Sequence, residues 1–150
     1  MSGADIGIVV PESLKGDESV AWAAGELQRA LAARDLTASL GQRGDTLTVE
    51  VATPEASLPG VTLPRVAEGM ALVRDGGTVT AWGHDSRGLV YALTELADRA
   101  RTVAGTDPFA GTFPLIEKPT ARIRSIARLF CSEEEDKGWF HDRQQWRDYL

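Results

Sequence analysis

Residues 78–98 constrain the fold more than any other stretch of this sequence. The run TVTAW over 78–82 alternates in character, which predicts a strand with Val79 and Ala81 on one side and an end at Gly83. We expect Ser86 to be the N-cap of a following helix, because a serine hydroxyl can accept a hydrogen bond from an unpaired amide of the first turn. The helix has one apolar stripe at helical spacing, made of Leu89, Leu93, Leu96 and Ala100.

The turn between strand and helix carries His84, Asp85 and Ser86, the three residue types of a hydrolase triad. A catalytic triad is assembled from separated positions, because adjacent residues cannot point at one another in that geometry. We therefore interpret the three residues as a capped turn. Arg87 and Gly88 follow, and the arginine is placed to hold an anion at the helix start. We favour instead a buried or half-buried structural arginine, beside a glycine that packs closely on the sheet.

The composition excludes several classes of function. A chain of 150 residues with 43% apolar and 25% charged residues is typical of a globular domain with a real core. Its 16 basic and 22 acidic residues give a net charge of -6, which argues against nucleic acid as a partner. The sequence has neither an apolar run of about 18 residues, as a membrane span requires, nor a signal peptide. Cys131 is the single cysteine, so no internal disulfide is expected. We expect a soluble cytoplasmic chain, or a secreted one if a leader has been removed.

The first third of the sequence predicts a strand followed by a long helix. Residues 6–10 form an apolar run that ends at Pro11. A helix beginning near Asp17 is indicated by apolar residues at helical spacing, namely Val20, Ala24, Leu27 and Leu31. Gly25 lies inside this helix and costs about 1 kcal/mol relative to alanine. We therefore expect another backbone to approach closely at Gly25.

The next segments predict two hairpins. Residues 36–40 and 46–52 both alternate, and the GQRGD segment between them has a length that suits a hairpin. Residues 69–74 and 78–82 are joined by Asp75-Gly76-Gly77, a tight-turn signal because glycine tolerates positive φ. Between the hairpins, residues 54–64 contain three prolines and are predicted to form a surface loop.

The composition changes after Pro119. Residues 121–130 alternate and carry three arginines, which predicts a strand, and residues 131–138 are predicted to form an acidic loop. An aromatic-rich helix is predicted to begin near Asp142, and the sequence stops inside it. We predict a compact domain over 1–118 and the opening of a second, truncated one over 119–150.

Other clusters give weak signals for chemistry. Glu133–Asp136 carries four carboxylates, which we interpret as a solvated loop rather than as acid–base or metal-binding groups. His84 and His141 have no histidine or cysteine at metal-ligand spacing, and no glycine-rich nucleotide motif occurs. We therefore predict no metal, no cofactor and no catalytic residue in this chain. Four aromatic residues suit stacking on sugar rings and the core of a further domain equally well: Trp139, Phe140, Trp146 and Tyr149.

The WGHDSRGLVYALTEL sequence over 82–96 resembles the small N-terminal domain of certain glycoside hydrolases. These include family 20 β-hexosaminidases and the α-glucuronidase-type and hyaluronidase-like families, in which a Gly-x-Asp-x-Arg-Gly turn joins a strand to an amphipathic helix. The resemblance implies an α+β fold, with a mainly antiparallel sheet of about five strands and two helices packed on one face. It also implies that this domain precedes a catalytic (β/α)8 barrel and carries no catalytic residue.

Residues 117–130 resemble the family's Pro-x-x-x-Arg-Gly entry into the first barrel strand. The resemblance implies that the C-terminal strand and partial helix belong to a truncated (β/α)8 barrel. Arg124 then matches an arginine that contacts the terminal sugar in hexosaminidases, so it is the candidate substrate-binding residue. Ser125 stands where glycine is usual and Ala127 where an aspartate is expected, so hexosaminidase sugar specificity is not carried over.

The function implied by the resemblance is that of a non-catalytic N-terminal domain of a carbohydrate-active enzyme. Its expected partner is the catalytic barrel of the same protein, with carbohydrate as the ligand of the full-length enzyme, and the 150 residues alone are expected to be inactive. The alternative is a stand-alone carbohydrate-binding or protein-interaction module. An exposed C-terminal segment also predicts pairing of two copies in a homodimer. A remote alternative is a glycerate kinase-like fragment, because IVVPESLKG over 8–16 is similar to the opening Pro-Asp-Ser-Phe-Lys-Gly of those kinases.

Overall fold

The computed structural model describes residues 5–121, 123–125, 138 and 141–149. The chain divides into two units, residues 1–120 and residues 121–150. In chain order the described elements are β1 (Asp5–Val9), a 3-10 helix (Glu12–Leu14), α1 (Glu18–Ala32), β2 (Thr37–Leu40), β3 (Leu47–Val51), β4 (Met70–Asp75), β5 (Thr78–Gly83), α2 (Ser86–Thr102), β6 (Leu115–Glu117) and α3 (Arg143–Tyr149). The helix predicted near Asp142 is confirmed as α3. Most of the predicted strand over 121–130 and of the acidic loop lies outside the described residues.

The six described strands form one mixed sheet in the order β2-β1-β3-β5-β4-β6. β1 runs parallel to β2 and β3, and β3 runs parallel to β5, whereas β4 is antiparallel to both β5 and β6. The hairpin predicted around Asp75-Gly76-Gly77 is confirmed as β4 and β5. The combination of helices with one sheet is therefore as predicted, but the expectation of a mainly antiparallel sheet of about five strands is wrong.

The other predicted hairpin, between residues 36–40 and 46–52, does not form. β2 and β3 lie on opposite sides of β1, and residues 41–46 pass directly over that strand at Gly7. A Cβ atom at Gly7 would lie 2.2 Å from both the carbonyl oxygen of Gln42 and the amide nitrogen of Gly44, so only glycine permits the crossing. Two hydrogen bonds fix the crossing to β1, from Gly41 N to Ile8 O at 2.8 Å and from Thr46 N to Asp5 O at 3.1 Å. The sheet consequently gains two parallel pairings in place of one antiparallel pairing.

One face of the sheet and the two long helices enclose the main core. Both predicted helix stripes are fully or almost fully buried, including Leu27, Leu31, Leu89, Leu93 and Leu96. They pack on alternate strand residues of one face, such as Ile8, Val49 and Val79, and α1 and α2 contact each other. Each such leucine contributes about 1.5–3 kcal/mol through the area that it removes from water.

The opposite face of the sheet is covered at Trp82 by residues 54–65, which we call the proline-rich loop. Trp82 is completely buried, and its Nε1 donates a hydrogen bond to the carbonyl oxygen of Pro54 at 3.2 Å. The guanidinium carbon of Arg65 lies 5.7 Å from the Trp82 ring centroid, and the same side chain donates to the carbonyl oxygens of Pro54 and Ala56 at 3.0 Å. The loop is therefore held over the sheet by one indole and one guanidinium.

Candidate functional site

The starts of α1 and α2 lie side by side at one edge of the sheet. β1 and β5 run in the same direction, and each leads through a turn into a helix, so the topology brings the two helix starts together. Asp17 caps α1 by accepting hydrogen bonds from the amides of Ser19 and Val20, at 2.9 and 3.1 Å. Asp85 caps α2 by accepting from the amide of Gly88 at 2.9 Å. Both carboxylates are favourable there because they face the positive ends of the helix dipoles.

The expectation that Ser86 is the N-cap of the second helix is wrong. Asp85 takes that position, and Ser86 is the first helical residue. The Ser86 hydroxyl donates instead to Oδ2 of Asp17 and thereby joins the two helix starts. Oδ2 of Asp85 accepts a further bond from the amide of Glu68 at 3.0 Å. A carboxylate can accept hydrogen bonds from two separate amides at once, whereas a hydroxyl has only one oxygen, and this explains why aspartate caps the helix here.

The pKa of Asp17 lies below its ordinary value of 3.8. The main cause is the hydrogen bond from Ser86, and the amides of Val20 and Ser19 act in the same direction against the opposing effect of burial. A lowered pKa in the folded state means that Asp17 stabilises the fold above its unfolded pKa, and that this stabilisation is lost as the pH falls through the folded value.

A Ser86→Ala variant is expected to raise the pKa of Asp17 toward 3.8, because the largest stabiliser of the charged carboxylate is removed. The Asp17 carboxyl carbon can be followed by NMR during acid titration of the folded chain. A Thr94→Ala variant removes a hydroxyl that donates to the Val90 carbonyl within the same helix, and serves as the control. An Asp17 titration curve that is identical in both variants contradicts the assigned hydrogen bond.

Arg87 is exposed, and the expectation of a buried or half-buried arginine is wrong. Its guanidinium reaches out from the helix start and pairs with Oε1 of Glu68 at 3.0 Å, while the Glu68 side chain is largely covered. Glu68 has a φ of 63°, a conformation that costs a non-glycine residue about 1–3 kcal/mol. The hydrogen bond from its amide to Asp85 and the ion pair with Arg87 hold it there.

The close packing predicted for Gly88 is confirmed. A Cβ atom at this position would lie 2.3 Å from the carbonyl oxygen of Gly69 and 3.1 Å from the Cα of Gly83. At Gly83, in turn, a Cβ atom would lie 2.1 Å from the amide nitrogen of Leu89. Gly83 and Gly88 therefore let the first turn of α2 rest directly on the backbone of residues 69 and 83.

A groove of about 450 Å³ lies between the first halves of α1 and α2. We call it the helix groove, and its lining residues are Glu18, Ser19, Trp22, Arg87, Val90 and Tyr91. Both rings of the groove are exposed, with 54% of Trp22 and 40% of Tyr91 accessible to solvent. Sequence reasoning missed this surface, although Trp22 falls between Val20 and Ala24 and so lies off the apolar stripe of its helix.

Gly25 lies in α1 one turn after Trp22, and no backbone of the described chain approaches it. A Cβ atom there would meet only the Arg29 guanidinium at 3.7 Å, an ordinary van der Waals contact. The expectation of a close backbone approach is therefore wrong within this structure. The described part of the chain contains no steric reason for the glycine.

A Gly25→Ala variant is therefore expected to increase the free energy of unfolding of the chain by about 0.5–1 kcal/mol, since alanine restricts the unfolded backbone and fits the helix. Urea unfolding followed by circular dichroism measures the change. The reverse substitution at the exposed position one turn earlier in α1, Ala21→Gly, is expected to lower the free energy of unfolding by a similar amount. A loss of stability in Gly25→Ala contradicts the prediction.

The two histidines belong to different units of the chain. His84 is half-buried just after β5, and its Nδ1 is buried without a hydrogen-bond partner among the described residues. Its ring centroid is 6.4 Å from that of Trp82. His141 is exposed just before α3. Within the described residues, no three His, Cys, Asp or Glu side chains come together as a metal site requires.

Arg124, the predicted substrate-binding residue, is exposed and lies outside regular secondary structure. Its role stays a prediction. Trp146 is half-buried, whereas Glu133–Asp136, Trp139, Phe140 and the side chain of Tyr149 lie outside the described part of the chain. No helix within that part has both the length and the hydropathy needed to cross a membrane.

No described protein family matches the sequence, and no curated protein sequence matches it either. Three solved structures that match are glycoside hydrolases. A GH138 enzyme targeting pectin rhamnogalacturonan II is 18% identical with a TM-score of 0.63, over 97% of this chain and 22% of that one. BtGH115A, a family GH115 4-O-methyl-α-glucuronidase with specificity for decorated arabinogalactans, is 20% identical with a TM-score of 0.52, over 67% of this chain and 14% of that one. CpGH84D is 14% identical with a TM-score of 0.52, over 69% of this chain and 19% of that one.

These likenesses show a shared fold. The chain shares its fold with a part of each of these glycoside hydrolases, and the predicted resemblance to proteins of this class is confirmed at the level of the fold alone. The chain spans less than a quarter of the length of each matched enzyme.

Proposed function

We propose that this chain contributes a non-catalytic accessory unit to a glycoside hydrolase. The observation that carries the proposal is the fold match to the GH138 enzyme, which extends over 97% of this chain and only 22% of that protein. A chain that matches only about a fifth of an enzyme corresponds in size to one part of that enzyme. In this proposal residues 1–118 pack beside a catalytic barrel that opens at 119–150, as in the hexosaminidase-type arrangement.

The carboxylates at the helix starts support a structural role. Most glycosidases use two carboxyl groups on either side of the bond that is cleaved, one as acid and the other as base or nucleophile. Asp17 and Asp85 are instead engaged in capping the helices, and Glu68 is paired with Arg87. These groups stabilise helices and turns, so the acid and base are assigned to the proposed catalytic domain.

The proposal is tested by assaying aryl glycosides with two proteins. One is the 150-residue chain, and the other is the complete protein that its gene encodes. We expect turnover by the complete protein and none by the chain. Turnover by the chain itself overturns the accessory role, and a complete protein that cleaves no glycoside overturns the link to hydrolases.

Arg124 is proposed to contact the sugar in the complete enzyme. An Arg124→Ala variant is then expected to raise KM for the substrate at least about tenfold, because a charge-assisted hydrogen bond to a hydroxyl is lost. Arg147→Ala changes an exposed arginine of the same unit and is the control. Equal KM values for the two variants contradict the role of Arg124.

The second candidate is a stand-alone carbohydrate-binding module. The exposed rings of Trp22 and Tyr91 favour it, since aromatic faces stack on sugar rings. Titration of the chain with oligosaccharides while tryptophan fluorescence is recorded separates the candidates. A saturable change supports a binding module, whereas the accessory-unit proposal expects none.

A further inference from the structure

We propose that a pocket at the carboxyl ends of β1 and β2 binds a small apolar molecule that carries one carboxylate. The pocket has a volume of about 370 Å³ and shares no lining residue with the helix groove. We call it the strand-end pocket, and the side chains that line it are Val10, Leu14, Lys15, Ala21, Ala24 and Leu40. Such a site goes beyond the proposed function and does not depend on it.

The strand-end pocket forms because the chain leaves two adjacent parallel strands toward opposite faces of the sheet. After β1 the chain continues through the 3-10 helix into α1, which packs on the face that carries Ile6 and Ile8. After β2, residues 41–46 pass over the other face at Gly7. The two connections therefore separate and leave a crevice at the strand ends. In open α/β sheets, ligands bind in crevices outside the carboxyl ends of parallel strands, where the connections separate in this way.

The interior of the strand-end pocket is apolar. Val10 and Leu14 come from the connection after β1, and Leu40 lies at the end of β2 with 50% of its surface exposed. Ala21 and Ala24 of α1 complete the lining, and their small side chains leave the space open. Its volume lies near the lower end of the range of small-molecule sites, which is about 300–1,000 Å³. The pocket therefore suits the apolar body of a small molecule, such as a short alkyl chain.

Lys15 is the charged residue of the lining, and it favours an anionic ligand. Its ammonium group pairs with Oε2 of Glu12 at 2.5 Å, but the two side chains are 56% and 86% exposed, and Glu12 does not line the pocket. An exposed ion pair of this kind contributes little, so Lys15 can turn to an anion in the pocket. A single ammonium with Glu12 nearby balances one negative charge, which favours a monocarboxylate over a phosphate dianion.

The outer edge of β2 adds backbone groups to the rim of the pocket. The carbonyl oxygen of Ile8 accepts a hydrogen bond from the amide of Gly41 at 2.8 Å, so the N–H and C=O of the preceding residue, Leu40, face away from β1. β2 is the outermost strand on this side of the described sheet. A carboxylate accepts hydrogen bonds from an ammonium group and from a backbone amide alike, and both kinds of donor are present at this rim.

Titration of the 150-residue chain with hexanoate, followed by ¹H–¹⁵N NMR spectra, tests the proposal. We expect saturable shifts of the amides of Lys15, Leu40 and Gly41. We also expect a dissociation constant at least about fivefold lower than that of 1-hexanol, which lacks the charge, or of acetate, which lacks the apolar chain. Equal affinity for hexanoate and 1-hexanol overturns the anion site. Shifts that do not saturate up to about 50 mM hexanoate overturn the pocket as a small-molecule site.

Two matched pairs of variants test the space and the charge separately. Ala21→Leu fills the pocket from the exposed side of α1 and is expected to weaken hexanoate binding at least about tenfold, whereas Ala32→Leu, at an exposed position near the end of the same helix, leaves it within about twofold. Lys15→Gln is expected to weaken binding about fivefold, whereas Lys118→Gln leaves it within about twofold. Equal dissociation constants within either pair overturn the site.

A further variant tests the anion contact from the opposite direction. Glu12→Gln removes the carboxylate that competes for Lys15 and is expected to strengthen hexanoate binding at least about twofold, so unchanged or weaker binding overturns the contact. A peptide with a C-terminal leucine that binds at least about tenfold more tightly than hexanoate identifies the edge of β2 as a peptide-binding surface, and overturns the small-molecule assignment. None of these measurements requires glycosidase activity, so failure of the site leaves the proposed function standing.

Discussion

Replacing Gly88 by alanine is expected to lower the free energy of unfolding by about 3 kcal/mol. The added Cβ would lie 2.3 Å from the Gly69 carbonyl oxygen, which is backbone and cannot rotate away. The helix start must therefore lift from the sheet, and overpacking of a rigid core typically costs about 1–3 kcal/mol or more. Urea unfolding followed by far-UV circular dichroism gives the change.

The control for Gly88→Ala is Gly16→Ala. Gly16 has no heavy atom within 4 Å of the position that a Cβ would take, so its substitution is expected to change stability by less than about 0.5 kcal/mol. Similar unfolding midpoints for the two variants show that α2 can move away from β5 at little cost. That result contradicts the close contact.

Replacing Trp82 by alanine is expected to destabilise the chain by about 3–5 kcal/mol, the usual cost of deleting a fully buried large aromatic side chain. The indole also accounts for one hydrogen bond and one cation–π contact to the proline-rich loop, through Pro54 and Arg65. Trp82→Phe retains an aromatic ring but loses the hydrogen bond, so its stability is expected to lie between that of the alanine variant and that of the original chain.

Trp22→Ala provides the matched control for Trp82→Ala. It deletes the same side chain from an exposed position and is expected to change the stability of the 150-residue chain by less than about 0.5 kcal/mol. Urea unfolding gives the change in unfolding free energy of both variants, and the dependence of that free energy on urea concentration is expected to stay unchanged. A small effect at Trp82 contradicts the role of the loop as the cover of the second sheet face.

Local patterns predicted the helices and one hairpin because each of these depends on neighbouring residues. The stripe from Leu89 to Ala100 and the turn at Gly76 need no distant partner, and both are observed. The pairing of β2 and β3 depends on β1, far away in the sequence, and alternation alone does not identify a partner strand. The sequence feature that could have indicated the crossing is Gly7 inside β1, because a glycine within a strand is typical of a site where another backbone approaches closely.

The exact residue at which α2 begins could not be predicted from the local sequence for a similar reason. Asp85 and Ser86 are both good N-cap residues, and their order in the helix is decided by Asp17 and Glu68, which the fold brings to them. The helix groove was not predicted because it depends on how α1 and α2 are placed beside each other. Trp22 lay off the apolar stripe, but its neighbour Tyr91 comes from a helix 69 residues further along the chain.

The passage of residues 41–46 over Gly7 has a consequence for how this sheet opens. An edge strand of four residues such as β2 ordinarily frays independently of the strands behind it. Here the segment that leaves β2 is hydrogen-bonded to β1 at both of its ends and leads directly into β3. Detaching β2 therefore pulls on the backbone that enters the centre of the sheet. We expect the amides of β2 and β3 to exchange with solvent as one cooperative unit, with β2 protected far beyond what its exposed position indicates.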